Sequence, residues 1–275
     1  MNGVVVKVLA GIYTVCTETG YLNTVLKGRL KLDEYPVVGD LVKLERTNDL
    51  TVILEILPRR NLLDRPRIAN IDQLFIFNAA ALPSPQNYLI DRLTVLGEYW
   101  KLKTVIGFNK ADLNRCHLAD SYRLLGYRVY EFSLLKEQEF SELKSILKDQ
   151  ITVLAGPSGV GKTTFVNKIL EQNRKTGMVS EKTRRGQHTT REVELLKLPF
   201  GGYIADTPGF SRLDVYITDP YSLSNCFVEM QGIKCRFQNC LHLKEPDCQV
   251  RDKIDPLRYQ SYVELLAEIK ERKPW

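Results

Sequence analysis

Apolar and polar positions alternate in short runs near the start of the chain: Val4-Val5-Val6-Lys7-Val8, Gly11-Ile12-Tyr13-Thr14-Val15, Thr24-Val25-Leu26-Lys27, Leu41-Val42-Lys43-Leu44 and Val52-Ile53-Leu54, with glycines and Pro36 between them. Runs this short, rich in β-branched residues and broken by turn formers, predict strands. Five of them in so small a span predict a barrel of the OB type over residues 1–62. The period then changes. Strand-length apolar runs follow at Leu74-Phe75-Ile76-Phe77, Val105-Ile106-Gly107-Phe108, Tyr127-Arg128-Val129-Tyr130, Ile151 to Leu154, Val193-Glu194-Leu195-Leu196 and Tyr203-Ile204-Ala205. Helical stretches such as Tyr88 to Trp100 and Phe140 to Lys148 lie between the earlier ones, so residues 63–216 read as an α/β domain, a largely parallel sheet with helices on both faces. The last part, residues 217–275, is loop-rich until Leu257-Arg258-Tyr259 and Tyr262-Val263-Glu264-Leu265-Leu266 predict a terminal helix.

Two of the predicted strands run into motifs that carry chemistry. After Ile151-Thr152-Val153-Leu154-Ala155 comes Gly156-Pro157-Ser158-Gly159-Val160-Gly161-Lys162-Thr163, and a helix starts from Thr164. The glycines let the backbone curl so that successive N–H groups point at phosphate oxygens; Lys162 adds a point charge for the β and γ phosphates, and Thr163 offers a hydroxyl to Mg²⁺. The run Thr104 to Phe108 delivers Asn109-Lys110-Ala111-Asp112 to the end of another strand, where ligands sit in open α/β sheets. There a buried Asp112 carboxylate would accept hydrogen bonds from the guanine N1–H and 2-amino group, which adenine does not offer in that arrangement. Asp206-Thr207-Pro208-Gly209 follows a third strand, placing Asp206 to hold the Mg²⁺ water shell and the Gly209 N–H to reach a γ-phosphate. The polar, basic segment Arg184-Arg185-Gly186-Gln187-His188-Thr189-Thr190-Arg191 reads as a switch in which one threonine, Thr190 in this reading, completes Mg²⁺ coordination when the γ-phosphate is present. In ordinary GTP-binding proteins the glycine loop precedes Asn-Lys-x-Asp. Here the order is reversed, so the chain resembles a circularly permuted P-loop GTPase. It also leaves the Asp-Thr-Pro-Gly motif directly into the C-terminal module, a route by which switch movement would reach that module.

These motifs, with Arg60-Asn61-Leu62-Leu63-Asp64-Arg65-Pro66, Ala69-Asn70-Ile71-Asp72-Gln73, Asp91-Arg92 and the Arg-Gly-x-His-Thr-Thr switch, resemble over nearly the full length the ribosome small-subunit-dependent GTPase family RsgA, also called YjeQ or YloQ. The resemblance implies GTP hydrolysis stimulated by the small ribosomal subunit and rRNA contact through the barrel, which sequence alone leaves equally readable as a plain structural barrel. It implies a base-contacting segment at Ser133, and it agrees with His188 as the residue that orients water. Many GTPases place Gln directly after Asp-x-x-Gly for that task, but the residue here is Phe210, which cannot hydrogen-bond water. The segment between Cys248 and Arg258-Tyr259 is shorter than is usual in the family.

Cys235, Cys240, His242 and Cys248 are spaced C-x4-C-x-H-x5-C, a donor set that fits one closed tetrahedral structural zinc site. Cys226 is the competing ligand, while Cys16 and Cys116 read as small buried hydrophobes. At 275 residues and 44% hydrophobic content the chain is long enough for two or three modules. No apolar run reaches membrane-spanning length and the start lacks a signal pattern, so a cytoplasmic protein with no membrane partner is expected; separately, it is expected to be a monomer. The net charge of +6 is compatible with a nucleic-acid partner without requiring one, although Arg174, Lys175, Lys182, Arg184, Arg185 and Arg191 crowd the switch, where they could meet rRNA phosphates. The expected function is a GTPase, using GTP, Mg²⁺ and a structural Zn²⁺, that couples hydrolysis on the small subunit to its late maturation. The alternative is an RNA-binding or scaffold protein with a slow GTP-sensing site.

Overall fold

In the structure, a computed structural model, residues 1–27, 35–47, 50–64, 66–170, 193–206, 217 and 219–271 are described. They form two compact units, each assembled from separate stretches of the chain.

The first unit begins with the barrel. Strands β1 (Asn2–Leu9), β2 (Ile12–Thr17) and β3 (Gly20–Leu26) form an antiparallel meander. Strand β5 (Leu50–Ile56) lies parallel to β3 and antiparallel to β4 (Leu41–Thr47), and β4 returns to pair with Asn2–Val4 of β1, closing the ring. Closure removes the free edges that an open sheet would expose. Alternation places Val5, Tyr13, Val15, Val42, Leu44 and Ile53 in a common core, with Val8, Leu22, Leu26 and Ile56 packed at its margin. Each such side chain stabilises by about 1.5–3 kcal/mol when fully buried. A bulge between Val5 and Lys7 turns the end of β1 outward, where Lys7 pairs with Glu194 of β12 (Glu194–Lys197). Strand β12 is antiparallel to β13 (Tyr203–Asp206), and β13 is parallel to β11 (Ile151–Ala155). All five residues of β11 are buried, as a strand covered on both faces requires. A hairpin of β6 (Leu62–Asp64) and β7 (Arg67–Ala69) and helices α3 (Glu137–Leu147) and α4 (Lys162–Ile169) complete this unit.

The second unit holds β8 (Gln73–Ala79) from Leu74 onward, with β9 (Lys103–Asn109) and β10 (Arg128–Glu131), in the order β10-β9-β8, with β9 and β10 parallel. Phe75 and Phe77 of β8 pack ring to ring, and Phe132 meets Phe77 edge-on at 5.4 Å. Helix α1 (Asn87–Tyr99) follows β8 and α2 (His117–Leu124) follows β9. Three single turns between Pro220 and Met230 lead to the cysteine-bearing loop and then to α5 (Pro256–Glu271). Asp255 caps α5, accepting from the N–H groups of Leu257 and Arg258 at 2.9 and 3.2 Å, with Pro256 at the first helical position. The buried residues Arg258, Ser261, Tyr262, Leu265, Leu266 and Ile269 fall on one helical stripe. That stripe faces α1, where Arg258 reaches Asp91 and Glu268 takes hydrogen bonds from Tyr88 and Arg92.

Candidate nucleotide site and metal cluster

The loop after β11 is shaped by glycines that nothing else can replace. Gly156 has φ +142°, and a Cβ there would lie 1.9 Å from the Phe77 carbonyl oxygen; Gly161 has φ +103°, and its Cβ would lie 2.6 Å from Asn109 Nδ2. Close approach of backbone to backbone is therefore built into the turn. Val160 is buried, Pro157 half-buried, and Ser158 and Gly159 are exposed.

Asn109 joins this loop to the rest of its unit. It is 4% exposed; Nδ2 donates to Val160 O at 2.8 Å and Oδ1 accepts from the Leu134 N–H at 3.2 Å. Its backbone carbonyl accepts from the Ala80 N–H at 2.7 Å. One residue thus ties together three loops: its side-chain amide holds those after β10 and β11, and its backbone carbonyl holds the one after β8. Lys110, at φ +62°, extends its ammonium along the same seam and donates to Gly159 O at 3.1 Å and to Leu82 O. The Ala111 N–H donates to Phe132 O at 3.1 Å, fixing the turn that presents Asp112. Asp112 is exposed, which corrects the buried carboxylate expected from the sequence: the turn carries it past the end of β9 into the open. Ser133 is buried with its Oγ accepting from Leu135 N–H at 3.2 Å, so the hydroxyl organises its own loop.

The glycine loop continues along the chain into α4. Lys162 is its first residue, and burial pushes the Lys162 ammonium below its ordinary pKa; Thr163 is half-buried and Thr164 exposed. Asp206 is the last residue of β13. His188, Thr190 and Gly209, with the basic switch residues, lie outside the described residues.

The C-terminal loop brings Cys235, Cys240, His242 and Cys248 together, with ligand atoms all within 4.8 Å of one another. Each sulfur faces the same imidazole nitrogen: His242 Nδ1 is 3.6, 3.4 and 3.5 Å from the Sγ atoms of Cys235, Cys240 and Cys248. This cluster is placed to hold a metal ion. Cys226, the competitor in the sequence, is buried elsewhere against Ser222 O at 3.5 Å. Burial pushes the Cys240 thiol up to about 12. Burial opposes ionisation of Cys248 as well, but the N–H groups of Arg251 and Val250 and the thiols of Cys240 and Cys235 outweigh it and hold that thiol below its ordinary value. The Tyr259 and Tyr262 hydroxyls of α5 donate to His242 O at 2.8 Å and Leu241 O at 2.9 Å, and the Glu245 carboxylate gathers the N–H groups of Leu241, Leu243 and Lys244.

Residues 56–216 match the model of the RsgA GTPase, and residues 2–53 that of the RsgA N-terminal domain. The chain belongs to the RsgA GTPase family. Its fold is the family's: a circularly permuted GTPase with an N-terminal five-strand barrel. GTP hydrolysis is its activity, and the family implies GTP, GDP and Mg²⁺. Among similar proteins, the small ribosomal subunit biogenesis GTPase RsgA of Caldanaerobacter subterraneus is 42% identical over 99% of this chain and 97% of its own length. That of Carboxydothermus hydrogenoformans is 42% identical over 98% of both. Among solved structures, YloQ, described as a circularly permuted GTPase, superposes with a TM-score of 0.79 at 34% identity over 100% of this chain and 96% of that one. YjeQ from Thermotoga maritima gives 0.81 at 33% identity over 99% of each.

Sequence reasoning missed several supports of these sites. The Leu82 carbonyl under Lys110 and the two tyrosines under the metal loop carry no motif. Asp91 was visible only as half of an Asp-Arg pair, with nothing to say that its partner is Arg258.

Proposed function

We propose that this chain hydrolyses GTP on the small ribosomal subunit and couples turnover to late maturation of that subunit. The observation that carries the reading is Asn109, whose one side chain clasps the glycine loop and the loop after β10. A phosphate cradle and a base-reading turn are thereby held in one frame. In this reading the N–H groups of Gly156 to Gly161, with Lys162, Thr163 and Thr164, receive the phosphates. The lowered Lys162 ammonium regains its proton affinity beside that anion. Asp112 takes the guanine edge, Lys110 and Ala111 shape its turn, and Ser133 lines the base side through its loop. Thr163, Thr190 and Asp206 would hold Mg²⁺, which would neutralise phosphate charge. His188 orients the attacking water, and the Gly209 N–H meets the γ-phosphate. Positioning and electrostatics supply the catalysis, so turnover is slow until a partner orders the switch.

The barrel and the C-terminal module act as docking arms, the barrel on rRNA. Three thiolates and one imidazole would suit a closed structural zinc site, and the three sulfurs lie 3.4–3.6 Å from His242 Nδ1, close enough to share one ion. No helix among the described residues is long and apolar enough to cross a membrane, and the proposed setting is a cytoplasmic monomer.

The test is GTP turnover by the purified chain with and without small subunits, with large subunits and ATP as controls. Stimulation confined to GTP and small subunits is expected. Binding without faster turnover would favour the sensor or scaffold reading, and neither binding nor stimulation would remove the subunit as partner.

A further inference from the structure

From the end of the barrel to the first residue of β8 the chain carries Arg60-Asn61 and Asn70-Ile71-Asp72-Gln73, residues to which neither the nucleotide chemistry nor the metal cluster gives a use. Their polar groups are committed to one another. Asn61 exchanges two hydrogen bonds with the Ile71 backbone, at 2.8 and 2.9 Å. Asn70, at φ +57°, accepts from the Arg60 N–H at 2.9 Å and donates to the Gly39 carbonyl of the barrel at 3.0 Å. Arg60 in turn donates to Asn70 O at 2.9 Å and to Asp72 Oδ1 at 2.5 Å. The Ala69 N–H adds a bond to Val38 O of the barrel at 2.9 Å.

The far end of this chain of bonds grips β11. Asp72 Oδ2 accepts from the Ile151 N–H at 2.8 Å, and the Asp72 N–H donates to Ile151 O at 3.0 Å. Beside it, Gln73 Nε2 donates to Thr152 Oγ1 at 2.8 Å and to Ile146 O at 2.9 Å. Strand β11 is buried throughout and runs into Gly156 without a break. Close-packed strands shift as units instead of absorbing small displacements.

We propose that Asp72 is a positioning residue that passes displacement of the barrel into the phosphate-binding loop, so that docking of the barrel adjusts turnover. The docking half of this statement rests on the function proposed above; the mechanical half does not. Coupling is reciprocal, so a nucleotide in the loop must alter the barrel segment even when no subunit is present.

The experiment is hydrogen exchange on the full chain with and without GDP and Mg²⁺, followed by turnover with small subunits. In the unaltered protein GDP is expected to slow exchange at residues 37–40 and 66–72 by about fivefold or more, the lower end of ordinary coupling. Asp72→Ala removes that protection while still binding GDP, and Asp72→Asn, which keeps an acceptor for the Ile151 N–H, restores it. With subunits, Asp72→Ala co-sediments and keeps its basal rate but gains little stimulation. No protection of the barrel segment in the unaltered protein overturns the proposal. So does a loss of basal and stimulated rates by the same factor in Asp72→Ala, which is what a merely structural residue would give. Protection that depends on Asp72 in a protein that subunits do not stimulate would support the mechanical link and remove the docking reading alone.

Discussion

Arg258→Leu should destabilise the C-terminal half of the molecule severely, and the size of the effect can be worked from its contacts. Arg258 Nη1 donates to Asp91 Oδ1 at 2.5 Å and to Thr94 Oγ1 at 3.3 Å, while Nε and Nη2 form a two-pronged pair with Glu229 at 2.7 and 2.9 Å. The guanidinium also lies 4.8 Å from the Phe227 ring centre. Side-chain exposure is 3% for Arg258, 0% for Asp91 and 12% for Glu229, so leucine would strand two carboxylates away from water. Removing one partner of such a buried pair costs about 3–5 kcal/mol, which for a protein of this size lowers the thermal midpoint by roughly 10 °C. The deficit depends on pH, with a definite sign. Burial, the largest influence, raises the Asp91 pKa, against the opposing effect of Arg258 and of hydrogen bonds from Ser261, Tyr122 and Arg258. A group whose folded pKa lies above its unfolded one contributes stability below the unfolded value and loses it as pH rises through the folded value. Loss of Arg258 raises the folded value further, so the deficit should be smaller at about pH 5 than at about pH 8. Thermal unfolding of the full chain by circular dichroism, with hydrogen exchange in α1 and α5, measures both effects. A midpoint within about 2 °C of the parent, or a deficit that grows toward acid, would refute the reasoning. Replacing Arg258, Asp91 and Glu229 together by leucine should recover most of the loss, because the strain lies in the unpaired charges.

Other outcomes test the sites. Gly156→Ala must move the loop off the Phe77 carbonyl, and a displacement near 1 Å is expected to weaken catalysis about 100-fold; unchanged turnover would show that the loop is not the cradle. Asp112→Asn should shift preference from guanosine to xanthosine triphosphate in competition titrations, because an amide cannot accept from both guanine donors, and retained preference for GTP would remove Asp112 from base reading. Cys235→Ser and Cys248→Ala should empty the metal site by elemental analysis and speed exchange in α5, whereas Cys226→Ala should keep the metal. His188→Ala should bind GTP and lose subunit-stimulated turnover; a normal stimulated rate would take His188 out of the mechanism.

What the sequence disclosed was whatever is written over a few neighbouring positions. The alternation in β4, Leu41-Val42-Lys43-Leu44, is the alternation of exposed and buried side chains seen in the barrel. The glycine loop and Asn109-Lys110 were legible because each is contiguous. Helix α2 was not, since only Ala119 and Tyr122 of its eight residues are buried and no apolar stripe marks it. The β6–β7 hairpin was missed for a similar reason: two three-residue strands are too short to show a period. Pairings across the chain are harder still. Asn109 and Val160 are 51 positions apart and Arg258 and Asp91 are 167 apart, so only folding reveals that they meet. The C-x4-C-x-H-x5-C spacing picked out the four residues that gather, and the fold removed Cys226, the competing ligand, by burying it against Ser222 O.

The bulge in β1 has a bearing on how this protein can be dissected. Strand β1 gives its first residues to barrel closure and, past the bulge, sets Lys7 against Glu194 of β12, with their side chains 3.5 Å apart. Strand β12 has β13 on its other side, so β1 is what shields its outer edge. A GTPase domain cut free of the barrel would present that row of backbone donors and acceptors to solvent, an adhesive strip for a second molecule. Isolated fragments should therefore self-associate as their concentration rises, and kinetic comparisons between fragment and full chain should be made at high dilution.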